Sequence, residues 1–137
     1  MNEKALELQA RTHRFATAVI KFCERLPNNM AAQKIADQLL DSSGSTDSNY
    51  RACCRARSDD EFISKVGVAA EEADESKGWL ELLVSSDQVT AESARPLIQE
   101  ADELTAIFVK SRKTAELNKQ RREMVAKLAR KTRRRRG

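Results

Sequence analysis

Proline and glycine are scarce in this chain, two and four of its 137 residues, and aromatic residues make up only 4%. Sheets draw on β-branched and aromatic residues joined by Gly- and Pro-rich turns, so this scarcity excludes a β-rich fold. Cysteine is sparse too. Cys23, Cys53 and Cys54 form an odd set, and the adjacent pair closes only a strained vicinal disulfide. Reduced, mostly buried thiols are therefore expected in place of a disulfide framework. Long apolar runs are missing as well: none nears the roughly 18 residues that span a bilayer, and MNEKALELQA lacks the apolar core of a signal peptide. A cytoplasmic protein is expected.

The means of catalysis are equally thin. His13 is the only histidine. The carboxylates Glu71, Glu72, Asp74 and Glu75 resemble the raw material of a di-metal bundle site, but no Glu-x-x-His accompanies them, so structural ion pairs are the better reading and no metal is expected. Cys53 or Cys54 as a nucleophile would need a base, and the one imidazole lies in a different predicted helix. Gly44, Gly67, Gly78 and Gly137 occur singly, so there is no glycine-rich phosphate loop. The chain is read as a non-enzyme without catalytic residues or cofactor.

What is present is a residue set that loses little on becoming helical: Ala, Leu, Glu, Lys and Arg dominate, with 40% hydrophobic and 34% charged residues in one domain's length. Leu8, Thr12, Phe15, Val19, Phe22 and Leu26 fall on one helical stripe that ends at Pro27-Asn28-Asn29. A weaker stripe, Ile35, Leu39, Ser42, Thr46, Asn49 and Cys53, runs through DSSGSTDSNY. Those poor helix formers permit a loop, but small residues also let two helices approach closely, and a second helix is the reading adopted.

Ser58-Asp59-Asp60-Glu61 is a capping-box pattern opening a third helix, with Phe62, Val66, Ala69, Ala73, Ser76, Leu80 and Leu83 inward. SSDQVT ends it. Thr90 and Ser93 are candidate caps and Pro96 is tolerated in a first turn, so a fourth helix starts between Thr90 and Pro96, with Leu97, Ala101, Leu104 and Phe108 inward. Short connectors make these an antiparallel up-down-up-down four-helix bundle over residues 1–112, followed by a basic tail, helical or disordered, over residues 113–137.

Charge is divided unevenly between these parts. From Lys110 to Gly137 there are 13 Lys and Arg against Glu116 and Glu123, a net +11, while the remainder holds 12 basic and 19 acidic residues, a net −7. Lys119, Arg121, Arg122, Lys127, Arg130, Lys131, Arg133, Arg134, Arg135 and Arg136 are the candidate nucleic-acid contacts, each able to neutralise one phosphate. No aromatic residue follows Phe108, so backbone contact to RNA or DNA is implied, without base stacking. The alternative is a basic end that only solubilises the chain.

A second polar set lies within the bundle. Asn49, Tyr50, Arg51, Arg55 and Arg57 precede the acidic run Glu71, Glu72 and Glu75, and forks between arginine and carboxylate would specify register within the bundle or between subunits. Solvated charged faces are the competing reading. Asn49 and Tyr50 are the better candidates for buried or interfacial hydrogen bonding.

Gln38 to Leu83 resembles the family of four-helix-bundle proteins first noticed as products of intervening sequences in bacterial large-subunit ribosomal RNA genes. The residues that carry the likeness are Asn49-Tyr50-Arg51-Ala52, Arg55-Ala56-Arg57-Ser58, Glu61-Phe62-Ile63, Glu72-Ala73-Asp74-Glu75 and Trp79-Leu80-Glu81-Leu82-Leu83. Helix one and ADELTAIFVKSRKTA fit too, so roughly residues 5 to 115 are covered and the tail departs. The resemblance implies a left-handed bundle assembling as a ring, typically a homopentamer. It also implies a fold similar to the accessory variability determinant of diversity-generating retroelements, which binds nucleic acid and a reverse transcriptase. Asp41 and Asp47 stand where many relatives are basic or neutral, which argues against an RNA-binding face on helix two.

The expectation is therefore a non-catalytic homo-oligomeric accessory protein that binds RNA or DNA backbone and assists a reverse transcriptase or another nucleic-acid enzyme. The alternative is a protein-interaction scaffold with no nucleic-acid role.

Overall fold

A helix start leaves backbone N–H groups without partners, and each start in this chain is met by a side-chain oxygen. In the computed structural model, which describes residues 2–137, Asn2 accepts from the Ala5 amide at 2.8 Å and Asn29 from that of Ala32 at 2.9 Å. Ser58 accepts from Glu61 and Thr90 from Ser93, both at 3.1 Å. These caps open α1 (Glu3–Glu24), α2 (Met30–Cys54), α3 (Asp59–Ser85) and α4 (Ala91–Arg136).

Two local expectations are corrected. Glu61 closes only half of the capping box, because its Oε2 accepts from the Arg57 amide at 3.2 Å instead of reaching the Ser58 amide. Pro96 lies in the second turn of α4, since that helix already begins at Ala91. Its missing N–H leaves the Glu92 carbonyl without a helical donor near the exposed start of the helix, where water can serve.

α2 is helical throughout, including the hydroxyl-rich stretch that could have been a loop. Its polar side chains fold back on their own helix: Thr46 donates to the Ser42 carbonyl at 2.8 Å, Ser48 to that of Ser45 at 3.2 Å, and Asn49 to that of Ser45 at 2.8 Å. The same groups would favour turns in an isolated peptide. What tips the balance is the packing, because Ser42, Ser43 and Thr46 are buried in a helix that packs closely on α3, whose buried residues include Ala69, Ala70, Ala73 and Ser76. Ser42 and Ser76 share a hydrogen bond at 2.8 Å within that contact.

α3 ends with backbone bonds from Asp87 to Val84 at 3.0 Å and from Gln88 to Leu83 at 2.9 Å, and Asp87 has φ 61°. That is the left-handed helix-ending turn usually given to glycine, which aspartate tolerates better than most residues. The chain then reverses into α4.

The core is a column of residues on the expected stripes: Phe15, Val19, Leu39, Cys53, Val66, Leu80, Leu83, Leu104 and Phe108 are all essentially inaccessible. Tyr50 stacks on Phe108 with ring centroids 5.1 Å apart. α3 runs antiparallel to α4, as Lys77 meets Asp102 and Asp60 meets Lys119. No described helix is long and apolar enough to cross a membrane.

α1 leans on α2 and meets α4 along a much narrower seam. Arg11 fastens that seam with Nε 2.8 Å and Nη2 2.5 Å from the Glu100 carboxylate, and with a further contact to Glu103 at 2.6 Å. The guanidinium bonds hold the Glu100 carboxyl below its ordinary range. A lowered carboxyl pKa contributes stability above its unfolded value near 4.5, and that contribution is lost as pH falls through the folded pKa. Arg11→Ala should therefore lower the unfolding free energy by about 1–2 kcal/mol at pH 7 and flatten its decline in acid, as read by urea titrations at several pH values.

Candidate nucleic-acid interface

Nothing in the sequence after Pro96 can stop a helix until Gly137, and α4 accordingly runs for 46 residues, roughly 69 Å. Its first half lines the core. Past Ser111 the bundle thins around it: Ala115 and Lys119 are half-buried, and every residue from Gln120 to Gly137 is exposed. The tail is therefore a helix projecting from the bundle, and α4 crosses from residue 112 to 113 without a break.

The base of this projection is tied down. Lys119 pairs with Asp60, and Arg122 pairs with Asp59, two carboxylates in the first turn of α3. Asp60 holds the Lys119 ammonium above its ordinary range. Two turns before Lys119 the Arg112 side chain lies over Gly67, where a Cβ would stand 3.5 Å from Arg112 Cδ. Two of the ten predicted phosphate contacts, Lys119 and Arg122, are thus already partnered within the chain. Arg121, Lys127, Arg130, Lys131 and Arg133 to Arg136 have no ion-pair partner among the described residues.

The bundle's polar candidates are arranged differently from the sequence expectation. Within the chain, Arg51, Arg55 and Arg57 form no ion pair with Glu71, Glu72 or Glu75. The Ser42–Ser76 contact sets the register, and it places Arg55 and Arg57 beside the first turns of α3, roughly 12 Å or more along the axis from the acidic run. Arg51 instead approaches Asp47 at 3.5 Å and His13 at 3.4 Å, and His13 Nδ1 lies 3.0 Å from Asp47 Oδ2. Glu75 accepts from the Trp79 indole at 3.3 Å, while Glu71 is free on the surface. Partial burial, then the charges of Glu75 and Glu71, push the Glu72 carboxyl up. Asn49 bonds only to Ser45.

Tyr50 is buried in the core and its hydroxyl is pushed up by that burial. It also floors a cavity of about 440 Å³ between the start of α1 and α4, shared with Leu8, Arg11, Phe62 and Ile107. Burial pushes the Cys53 thiol up to about 12 and that of Cys23 to about 11, so both are neutral and weakly nucleophilic at pH 7. Among the described residues no three of His, Cys, Asp and Glu converge as a metal ligand set.

Sequence reasoning missed the Arg11 fork, the His13–Asp47–Arg51 cluster and the Asp59/Asp60 anchor. Of these, only Asp47 and Arg51, four apart on one helix, were legible as a pair. The others join residues from different helices.

Over residues 4–110, the stretch that holds the bundle, the sequence matches the model of a known family. The chain belongs to the 23S rRNA-intervening sequence protein family. Among solved structures, this family member is similar to a protein of unknown function from the S23 ribosomal protein family of Bacteroides thetaiotaomicron. The two share 27% identity with a TM-score of 0.72, covering 80% of this chain and 98% of the other. A search of curated proteins finds no match. The family match stops at residue 110, so the projecting basic helix of this intervening-sequence protein lies outside it.

Proposed function

We propose that this protein is a non-catalytic, self-associating accessory protein that holds the backbone of RNA or DNA through the projecting half of α4. The observation that carries the reading is the run Lys127, Arg130, Lys131 and Arg133 to Arg136, wholly exposed, without an acidic residue after Glu123 and without an internal partner. Such a helix is a dense array of phosphate contacts. Self-association into a ring of five, the assembly implied by family resemblance, would bring several tails to one nucleic acid and raise affinity through effective concentration. Exposed Leu6, Ile20 and Leu82 on the bundle give copies apolar surface to share. Delivery of the bound strand to a reverse transcriptase or another nucleic-acid enzyme is the accessory role, and the cytoplasm is the compartment.

A scaffold with no nucleic-acid role is the second reading. It is favoured by the unpaired acidic surface of Glu71, Asp74 and Glu81, which a basic partner protein would fit.

The test is binding across a salt series, with particle mass followed by light scattering on the same samples. The expected log–log slope is about −5 per tail engaged, from roughly six neutralised phosphates, and heparin should displace the nucleic acid. Absence of binding at about 50 mM salt would leave the scaffold reading in place.

A further inference from the structure

The cations of the tail are distributed in a way that one phosphate rail does not require. Successive residues on an α-helix turn by about 100°, so Arg133, Arg134, Arg135 and Arg136 are spread over about 300° of the helix circumference. Lys127, Arg130 and Lys131 fall between Arg133, Arg134 and Arg135 around the same short cylinder, and the seven cations leave no gap wider than about 100°. A single strand or a flat anionic surface would be served by a one-sided stripe. Charge all round a helix is satisfied only where phosphates flank it on both sides.

The cylinder is also delivered as a rigid element. α4 is unbroken from Ala91 to Arg136, and Lys119–Asp60 and Arg122–Asp59 hold its direction relative to α3. Its charged segment, Lys127 to Arg136, spans roughly 15 Å with a diameter of about 10–12 Å. The B-form major groove is about 12 Å wide and lined by phosphates on both walls. The A-form major groove is too deep and narrow for such an entry, and single strands are held by aromatic stacking that this segment lacks.

We propose that the α4 extension enters the major groove of B-form duplex DNA as a pre-formed basic helix, with Lys127 to Arg136 lying between the two phosphate walls. This rests on the backbone-binding reading above and narrows it to one substrate class. Ala126 and Ala129, the small residues at the base of the segment, keep that part of the helix slim.

The experiment compares full-length protein and Ala129→Pro on three fluorescent probes at one salt concentration. The probes are duplex DNA of about two helical turns, duplex RNA of the same length and the corresponding single-stranded DNA. Proline at this exposed position keeps every charge and breaks the helix ahead of Arg130. The wild-type chain should prefer duplex DNA by about tenfold over the other two probes. Ala129→Pro should bring duplex DNA down to their level, with the thermal transition of the bundle unchanged. Equal wild-type affinity for all three probes, preference for duplex RNA or the single strand, or an intact duplex-DNA preference in Ala129→Pro would overturn the inference while leaving backbone binding standing. Failure of the wild-type chain to bind any probe would overturn both.

Discussion

Ending the chain at Glu123 should abolish binding to RNA and DNA and leave the bundle folded. The cut position follows from where α4 stops touching anything. A chain shortened at Ser111 would lose the Arg112 side chain over Gly67 and the Lys119–Asp60 and Arg122–Asp59 pairs, so its loss of binding could reflect a loosened α3–α4 contact. A chain ending at Glu123 keeps all three. It loses Lys127, Arg130, Lys131 and Arg133 to Arg136, seven cations, and no buried side chain. Removing six or more phosphate contacts should cost about a thousandfold or more in affinity at low salt and flatten the salt slope toward zero. Anisotropy titrations from about 50 to 200 mM salt read both quantities, while thermal unfolding checks that the bundle is intact. Equal binding by the shortened chain would move the site onto the bundle and remove the tail from the functional account.

Phe108→Ala should be the most destabilising single truncation in the chain, at about 3–5 kcal/mol. Phe108 is wholly inaccessible and is the largest of the fully buried side chains. It stands where α4 crosses the core, with the Tyr50 ring stacked on it at 5.1 Å. Removing the ring forfeits its transfer free energy, leaves a cavity that a helical backbone cannot collapse to fill, and strips Tyr50 of its aromatic partner. Against a typical total of about 5–15 kcal/mol this is a large share, and the thermal midpoint should fall by about 10 °C or more. Leu128→Ala is the matched control. That side chain is 57% exposed on the projecting helix, so its loss should change stability by less than about 0.5 kcal/mol. Urea titration of both variants decides the matter, and similar losses for the two would mean that the projecting helix is packed in solution against something, such as another copy.

Helix number, approximate limits and inward stripes were legible because each rests on local rules. Caps are chosen by the residue whose side chain can reach an amide three positions on, and Ser58 and Thr90 stand at such places as read, whereas Asn29 was read only as the end of the first helix and proves to cap the second. Stripes follow from the 3.6-residue period, which is why Leu8 to Leu26 and Phe62 to Leu83 point inward as read. The stretch from Asp41 to Tyr50 was less legible. Its propensities favour turns, and only the small-residue face of α3 opposite makes the helix the better choice.

The polar candidates show the same division more sharply. The arginines near the end of α2 and the carboxylates in the middle of α3 look complementary along the sequence, but the hairpin register separates them and hands Arg51 to Asp47 and His13. In the tail, the sequence offers ten interchangeable candidate phosphate contacts. The fold uses Lys119 and Arg122 to anchor the helix and leaves the outer ones unpaired.

The sequence by itself determined an all-α chain, the caps at Ser58 and Thr90, most of its buried stripes and the concentration of positive charge at one end, because those depend on residue type and spacing along a single helix. Tertiary structure alone decided which charges meet, and that α3's first turn holds the base of the projecting α4. Those outcomes depend on the axial offset between antiparallel helices, and packing sets that offset where no local rule can reach it.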